Sequence, residues 1–557
     1  MTNRFILPLI AAGTVIAGGM ASWAASQARP KSHDNAVTQN LAIFNAVVRE
    51  VEQNYVDSTR PDEAFETAIA GYLSTIDPYT EYYTADDQEV LRQMTTGEYA
   101  GIGSYILQRD GVTYITFPME GSPAAIGGLR PGDKIVRVDT TDVLNPKGQD
   151  VSKLLRGQPG TTVRVSVDRP WVEDSLLTFD IVRESVRRPS VEYYGVINGN
   201  TGYIALNSFI ESTPQEVAEA LKSFQADPAV KQLVLDLRGN GGGLVNSAID
   251  ILGNFLPKGT QVISTRTKGS KLDKVYRTST VPMMPDIPMV VLIDGGSASA
   301  AEITAGALQD LDRAVLVGSR SFGKGLVQAT RNLPYGGVLK VTVDKYYLPS
   351  GRLLQALDYS RRNEDGSVAR TPDSLTNEYK TRGGRIVRDG GGLTPDSTVT
   401  WSHPTQLLYT LVRDNRIFDY AVEYAAKNPA SATPEEIVVT DAMYDDFVKR
   451  TTTDSLKYNR PWQDVMPRLR NILKDEGYLD DRISSQIDSL EKSLQVDLAE
   501  DMRLKRDEIS GYLAEDLAQI WFYDRGKSIV RLRRDTGLDK AIEILDSGLY
   551  RKILGRD

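Results

Sequence analysis

The chain has 557 residues, a formal net charge of -9, 41% apolar and 25% charged residues, the profile of an ordinary globular protein long enough for three or four domains. The acidic balance argues against a nucleic-acid partner, which would require a basic stripe. There is no cysteine, which excludes thiol catalysis, disulfides and cysteine-ligated zinc, and the two histidines, His33 and His403, are too far apart in sequence to favour a histidine-rich metal site.

Between Arg4 and Arg29 no residue is charged, and Phe5 to Ala25 is apolar enough to enter a bilayer despite Pro8, Gly13, Gly18 and Gly19. The expectation is an exported chain. Residues 1–28 form either a signal peptide cleaved near Ser22-Trp23-Ala24 or a retained membrane anchor, and the remainder is periplasmic or faces the periplasm. With no cysteine to carry a lipid, a lipoprotein is excluded. Residues 35–95 then read as helical. Leu41, Ile43, Phe44, Val47, Val48 and Val51 keep amphipathic spacing, and a second helix runs from about Pro61 to Leu73. The next segment, Ile76 to Tyr83, reads on its own as a tyrosine-rich surface turn.

Residues 97–187 alternate short strands with turn signals, at Ser104 to Leu107, Val112 to Phe117, Lys134 to Val138, Thr162 to Asp168 and Leu176 to Val182. The phrase GSPAAIGGLRPGDKIVRVD, from Gly121 to Asp139, resembles a PDZ domain, whose second helix falls on Gln149 to Leu155. In that resemblance Gly101, Ile102 and Gly103 occupy the loop whose backbone N–H groups take a terminal carboxylate, and the strand after it offers an edge to an extended peptide. Without the resemblance these glycines need only make a turn.

From Ser190 the pattern is α/β, with a strand at Thr201 to Leu206, a helix at Pro214 to Gln225, and a buried strand at Gln232 to Leu237. Arg238-Gly239-Asn240-Gly241-Gly242-Gly243 follows, and consecutive glycines ahead of a helix near Leu244 let backbone approach a ligand closely. Met289 to Ile293 then runs into Asp294, Gly295 and Gly296, a helix from Ser299 to Asp310, and a returning strand from Ala314 to Val317. Ser299 falls where strand hands over to helix, so an activated hydroxyl and an oxyanion hole made of the following N–H groups could share one concave spot. A Ser/His/Asp triad would have to use His403; otherwise Lys324 is the available base, and Gln328 lies on the same side to orient it. The bland alternative is a small-residue turn beside a solvated lysine. Gly318, Gly323 and Lys324 also satisfy most of a phosphate-binding loop, but Gly325 stands where its hydroxyl belongs and the following residues read as strand.

Val338 to Tyr347 is another strand, and the polar stretch 358–389 reads as a surface loop inserted into a domain spanning 190–400. Residues 401–557 are helical. Ile483, Ile487, Leu490, Leu494, Leu498 and Met502 keep helix spacing, which suits either an appendage packed on the core or an element of a homodimer.

Taken together, LDLRGNGGGL, GSASAAEITAGALQD and GSRSFGKGLVQ resemble the C-terminal processing, or tail-specific, serine peptidases with a Ser/Lys dyad, over about residues 40–400. The resemblance implies a multidomain α/β fold: a crotonase-like α/β peptidase core with an inserted PDZ domain, an N-terminal helical segment and a C-terminal helical extension. Glu302 matches the glutamate of the family's serine motif, which makes Ser299 the nucleophile. Lys324 then becomes the base, Gln328 its positioning residue, and the N–H groups of Gly242 and Ala300 the oxyanion hole. Ile76 to Tyr83 resembles the segment that precedes the PDZ domain in these enzymes. The chain departs from the pattern at Gly239, Gly241 and Ala301, none of which removes a catalytic group. The implied activity is an envelope endopeptidase acting on proteins or peptides with free C-termini, with no cofactor. A non-catalytic PDZ scaffold would not need both Ser299 and Lys324, and a hydratase or acyl-transfer enzyme on the same core would need an acyl-carrier pocket.

Overall fold

The computed structural model describes residues 33–144, 150–172, 175–269, 273–401, 403–453, 456 and 458–556. The segment expected to be a signal peptide or anchor, 1–28, lies outside the described residues. No helix among the described residues is long and apolar enough to cross a membrane. The helices His33–Asn54 and Pro61–Ser74 meet where Phe44 packs edge-on against Phe65, and the described residues up to Tyr72 form a unit by themselves.

The apolar runs in the middle of the chain become one sheet. Its six strands are Val191–Ile197, Thr201–Leu206, Gln232–Asp236, Met289–Ile293, Val315–Gly318 and Ser397–Thr398, side by side in the order in which the chain makes them. The first pair is antiparallel and the rest are parallel; helices Thr213–Ala226, Val245–Leu252 and Ala300–Asp310 carry the chain back for the first three parallel pairs, and the strands and loops between 319 and 396 do so for the last. Every residue of Gln232–Asp236 and Met289–Ile293 is buried, so neither run shows apolar/polar alternation. On one face Leu233, Leu235, Val291 and Ile293 pack with Leu221, Phe224, Ile251 and Ile303 of those helices. On the other, Val234, Val290, Leu292 and Val317 pack with Leu538, Ala541, Ile544 and Tyr550 of helices Thr536–Asp546 and Leu549–Ile553. Helices Thr536–Asp546 and Leu549–Ile553 thus pack on the core, as the appendage reading expects, and supply the sheet's second helical layer.

The remainder of the C-terminal region has its own core, in which Leu408, Leu411, Ile417, Tyr444, Phe447, Met502, Ile509 and Leu513 are buried together. The helix spacing seen from Ile483 to Met502 is split between two helices, Asp481–Leu494 and Leu498–Leu504. Asp497 starts the second by accepting the Glu500 N–H at 2.7 Å, and a short acidic side chain favours such a cap over a helix interior.

All five strands read from the sequence between 97 and 187 are present, as Ser104–Arg109, Val112–Pro118, Lys134–Val138, Thr162–Asp168 and Leu176–Val182. They form an antiparallel sheet around Ile115, Ile135, Val163, Val165 and Val167. Ser104–Arg109 is its edge strand and Val151–Leu155 its longer helix. Gln149, the expected start of that helix, lies outside the described residues. Strands Glu98–Gly101 and Glu184–Arg187 pair at the neck of the insertion.

A second sheet is built on Val338–Tyr347, which pairs with Leu326–Asn332 and also with Glu81–Tyr83 and Gln261–Thr267. Ile76 to Tyr83 is thus not a surface turn, since its end is a strand that places Glu81 opposite Lys340. The polar stretch 358–389, expected as a surface loop, has strands of its own. It contains the hairpin Glu378–Lys380 with Ile386–Arg388, and Arg385 binds Asp312 at 2.6 Å and Asp396 at 2.5 Å.

Candidate active site

Strand Met289–Ile293 ends at Asp294, whose Oδ1 accepts the N–H groups of Gly296 at 2.9 Å and Ser297 at 3.1 Å and so folds the chain sharply. Ser299 is reached with φ 55° and ψ -114°. Such a conformation costs a non-glycine residue about 1–3 kcal/mol and persists where its surroundings over-determine it. Those surroundings are helix Ala300–Asp310, in which every residue is buried, and above all Glu302.

Glu302 is wholly buried and holds two parts of the chain together. Its Oε2 accepts the N–H groups of Ser299 and Lys324, each at 2.9 Å. Its Oε1 accepts the Gly323 N–H at 2.7 Å and the Ser321 hydroxyl at 2.5 Å. Burial pushes this carboxyl up to about 7, against four hydrogen bonds that favour the carboxylate. The spacing Ser299-x-x-Glu302 is that of a capping box, so a local role was legible in the sequence. Its bonds to Ser321, Gly323 and Lys324 were not.

The Nζ of Lys324 lies 4.1 Å from the centroid of the Tyr79 ring. Tyr79 is held by Asp77 Oδ1, which accepts the N–H groups of Tyr79 and Thr80 at 2.8 Å each, and its hydroxyl accepts from that of Tyr359 at 3.2 Å. Burial lowers the Lys324 pKa to about 8. Lys340 pushes the same way, and Asp77, Glu302 and Glu81 oppose it.

Ser299, Lys324 and Gln328 line one cavity of about 670 Å³, together with Gly241, Gly243, Leu244, Val245 and Lys340. No hydrogen bond joins the Ser299 and Lys324 side chains among the described residues. Gln328 faces the same cavity, but its amide donates to Thr342 Oγ1 at 3.1 Å rather than to Lys324. A register shift between Val327 and Gln328 accompanies this turn towards the neighbouring strand. His403 is exposed and is not among the lining residues.

Gly242 lies against Ser299, with φ 98°, and a Cβ there would stand 2.8 Å from Ser299 Cβ and 2.9 Å from the Ala300 nitrogen. Only glycine permits this approach. Gly242 and Ala300 are thus adjacent, as the oxyanion assignment requires, but the Gly242 N–H donates to Asn240 Oδ1 at 2.8 Å. That bond must be exchanged before the group can serve a substrate. Asn240 is itself buried, and its Nδ2 donates to the Leu206 carbonyl at 2.6 Å.

Gly101, Ile102 and Gly103 are buried just before the edge strand and are not among the residues lining this cavity. The Ile102 and Gly103 carbonyls accept the N–H groups of Ala124 and Met119 at 2.7 and 2.9 Å. With φ 73°, a Cβ on Gly103 would stand 2.5 Å from Ser122 Cβ.

Residues 200–359 match peptidase family S41, residues 114–169 a PDZ domain, and residues 407–545 the C-terminal helical domain of a probable PDZ-protease. A carboxy-terminal-processing protease of Bartonella bacilliformis is 34% identical over 337 residues, which are 60% of this chain and 76% of that one. A probable CtpA-like serine protease of Staphylococcus aureus is 32% identical over 317 residues, 57% of this chain and 62% of that one. The solved photosystem II D1 C-terminal processing protease is 26% identical and covers 63% of this chain and 86% of its own, with a TM-score of 0.35. A serine and a lysine meet in one cavity of an α/β core that carries a PDZ insertion, and identity extends across most of the Bartonella protein: the chain belongs to the S41 serine peptidases, as a carboxy-terminal-processing protease with a PDZ domain.

Proposed function

We propose that Ser299 is the nucleophile and Lys324 the general base of this protease, and that it cleaves proteins outside the cytoplasm whose C-termini are held by the PDZ domain. The observation that carries the reading is the pairing of a strained serine with a lysine whose ammonium form is disfavoured by burial, both backbones being held by the same carboxylate of Glu302. Neutral Lys324 takes the Ser299 proton as Oγ attacks the scissile carbonyl, and the lysinium then gives that proton to the leaving amine. The N–H groups of Ala300 and of Gly242, the latter released from Asn240, receive the oxyanion. A water activated by the same lysine hydrolyses the acyl-enzyme.

Gly101, Ile102 and Gly103 precede an edge strand, the arrangement that takes a free chain end in PDZ domains, and the uncharged run from Phe5 to Ala25 supports export. The experiment is to incubate the full chain and its Ser299→Ala variant with a disordered protein, and with matched peptides ending in free carboxylate or in amide. The wild type is expected to cleave and Ser299→Ala is not. The free-carboxylate peptide should be used at least about tenfold better, since each charge-assisted hydrogen bond to it contributes about 1.5–3 kcal/mol. Cleavage by Ser299→Ala would remove the nucleophile assignment. Equal use of the two peptides would remove the tail assignment, and recovery of the chain in the cytosol with Phe5 to Ala25 intact would remove export.

A further inference from the structure

We infer that Asp535, in the C-terminal helical region, is a positioning residue for the glycine loop that faces Ser299, so that the helical region takes part in catalysis; the inference rests on the assignment of Ser299 and of that loop made above. The loop begins at Arg238. Of the next five residues four are glycines, and Gly239, Gly242 and Gly243 have φ of 66°, 98° and 142°. Such a segment has much conformational freedom and keeps one shape only if its neighbours hold it.

From the core side, Asp294 Oδ1 accepts the Gly239 N–H at 2.8 Å, and Asn240 binds the Leu206 carbonyl. The Arg238 guanidinium is held by two carboxylates. Asp236, the last residue of the strand that precedes the loop, accepts its Nε at 2.9 Å and Nη2 at 2.5 Å and also accepts the Tyr203 hydroxyl at 2.7 Å, so these bonds fix the side chain against the sheet. Asp535 accepts Nη1 at 2.8 Å and also binds Nη2, from a position 297 residues away. The guanidinium is flanked by the Trp401 ring at 5.9 Å and by Gly537, where a Cβ would stand 3.0 Å from Nη1.

Asp535 is itself rigidly held. Its Oδ1 accepts the N–H groups of Gly537 and Leu538 at 2.9 and 3.0 Å, capping helix Thr536–Asp546, whose Leu538, Ala541 and Ile544 are packed against the sheet. Arg238 thereby ties the start of the loop to a helix that cannot move without opening the core. Behind it is a cavity of about 550 Å³ lined by Arg238, Gly239, Asp294, Trp401, Arg531 and Asp535. When the bonds to Asp535 are lost, Asp236 still holds one edge of the guanidinium, but the other edge faces this space and the loop loses its tie to the helical region.

The arrangement also indicates a substitution that separates position from stability. In Asp535→Asn the oxygen that caps the helix can still accept Nη1, but an NH2 then faces Nη2 where the second carboxylate oxygen stood; the tie is broken on that side, and Arg238 keeps Asp236 as its counter-ion, so no charge is left buried alone. Asp535→Ser likewise keeps a capping oxygen but is too short to reach Arg238. Both full-length variants are compared with wild type and with Ser299→Ala, reading kcat and KM separately, the melting temperature, and inhibition by a peptide boronate that mimics the tetrahedral intermediate.

For Asp535→Asn and Asp535→Ser the expectation is a kcat at least about tenfold lower with KM within about twofold, boronate affinity reduced in step with kcat, and melting close to wild type. Wild-type kcat and boronate affinity in both variants would overturn the inference while leaving Ser299 in place. So would a loss of activity that merely follows a loss of folded protein. If Ser299→Ala stays active, the underlying assignment fails, whatever Asp535 does.

Discussion

Ser299 stands ahead of an 11-residue helix in which every residue is buried, whereas Lys324 leads into a hairpin strand, Leu326–Asn332, that becomes exposed towards its end. Ser299 is fixed by elements next to it in sequence: the turn at Asp294, the helix it opens, and Glu302 three residues on. Lys324 owes its environment to a strand, Glu81–Tyr83, and a ring, Tyr79, that arrive from far earlier in the chain. One half of the site is therefore a matter of local geometry and the other of long-range burial. Substitutions in the first half should act on rate at every pH, and those in the second chiefly on the pH at which the rate appears.

The largest effect is expected from the two reacting residues. Ser299→Ala and Lys324→Ala should each lower kcat about 10⁴-fold or more, and the double variant should resemble either single one, because nucleophile and base act as a unit. Multiplicative losses in a full kinetic comparison would show that they act separately. Next comes Glu302→Gln, in which an amide NH2 must face the donors that one carboxylate oxygen now receives. Each unmet buried group costs about 1–3 kcal/mol, so kcat should fall roughly 100-fold with the fold retained by circular dichroism. Near-normal turnover would mean that Glu302 does not hold the site.

Tyr79 gives a smaller effect with a sign. Its ring both excludes water from Lys324, which favours the neutral amine, and offers a π face, which favours the ammonium. Tyr79→Ala should admit water and move the acidic limb of kcat/KM to higher pH. Tyr79→Leu keeps the shielding without the face and should move it to lower pH. Limbs that coincide with wild type in both would disconnect Tyr79 from the base. The smallest effects belong to Gln328→Ala, less than about tenfold because its amide is engaged by Thr342, and to His403→Ala, which should leave steady-state kinetics unchanged.

Much of this was legible in the sequence, and what was not has common physical causes. The strands of the PDZ insertion and the strand-turn-helix around Ser299 are set by periodicity and turn residues within a few positions of one another, and these the sequence displays. The glycines at 239–243 announce close backbone approach, but not that Asn240 occupies the Gly242 N–H in the resting arrangement, since the choice among donors is made by the packing of a buried amide. Ile76 to Tyr83 carries too short a strand to declare itself, and only its pairing with Val338–Tyr347 makes it one. The hairpin inside 358–389 has strands of three residues, too short to show a period, and is anchored by Arg385 with Val387 its one buried apolar side chain. The second helical layer is invisible for a similar reason: Leu538, Ala541 and Ile544 show an amphipathic stripe, but the surface that covers it lies more than two hundred residues away in sequence.

The dyad is tested most directly by the pH dependence of kcat/KM, which reports the ionisation of the free enzyme. A lysine lowered from 10.5 to about 8 by burial is protonated, and unable to act as a base, below that value, and neutral above it. Activity should accordingly rise with pH, reach half its maximum near pH 8 and fall about tenfold per unit well below it, while Lys324→Ala shows no such limb on its residual rate. A limb centred near pH 6.5, the range of an ordinary histidine, or a limb that survives in Lys324→Ala, would contradict the assignment of Lys324 as the base.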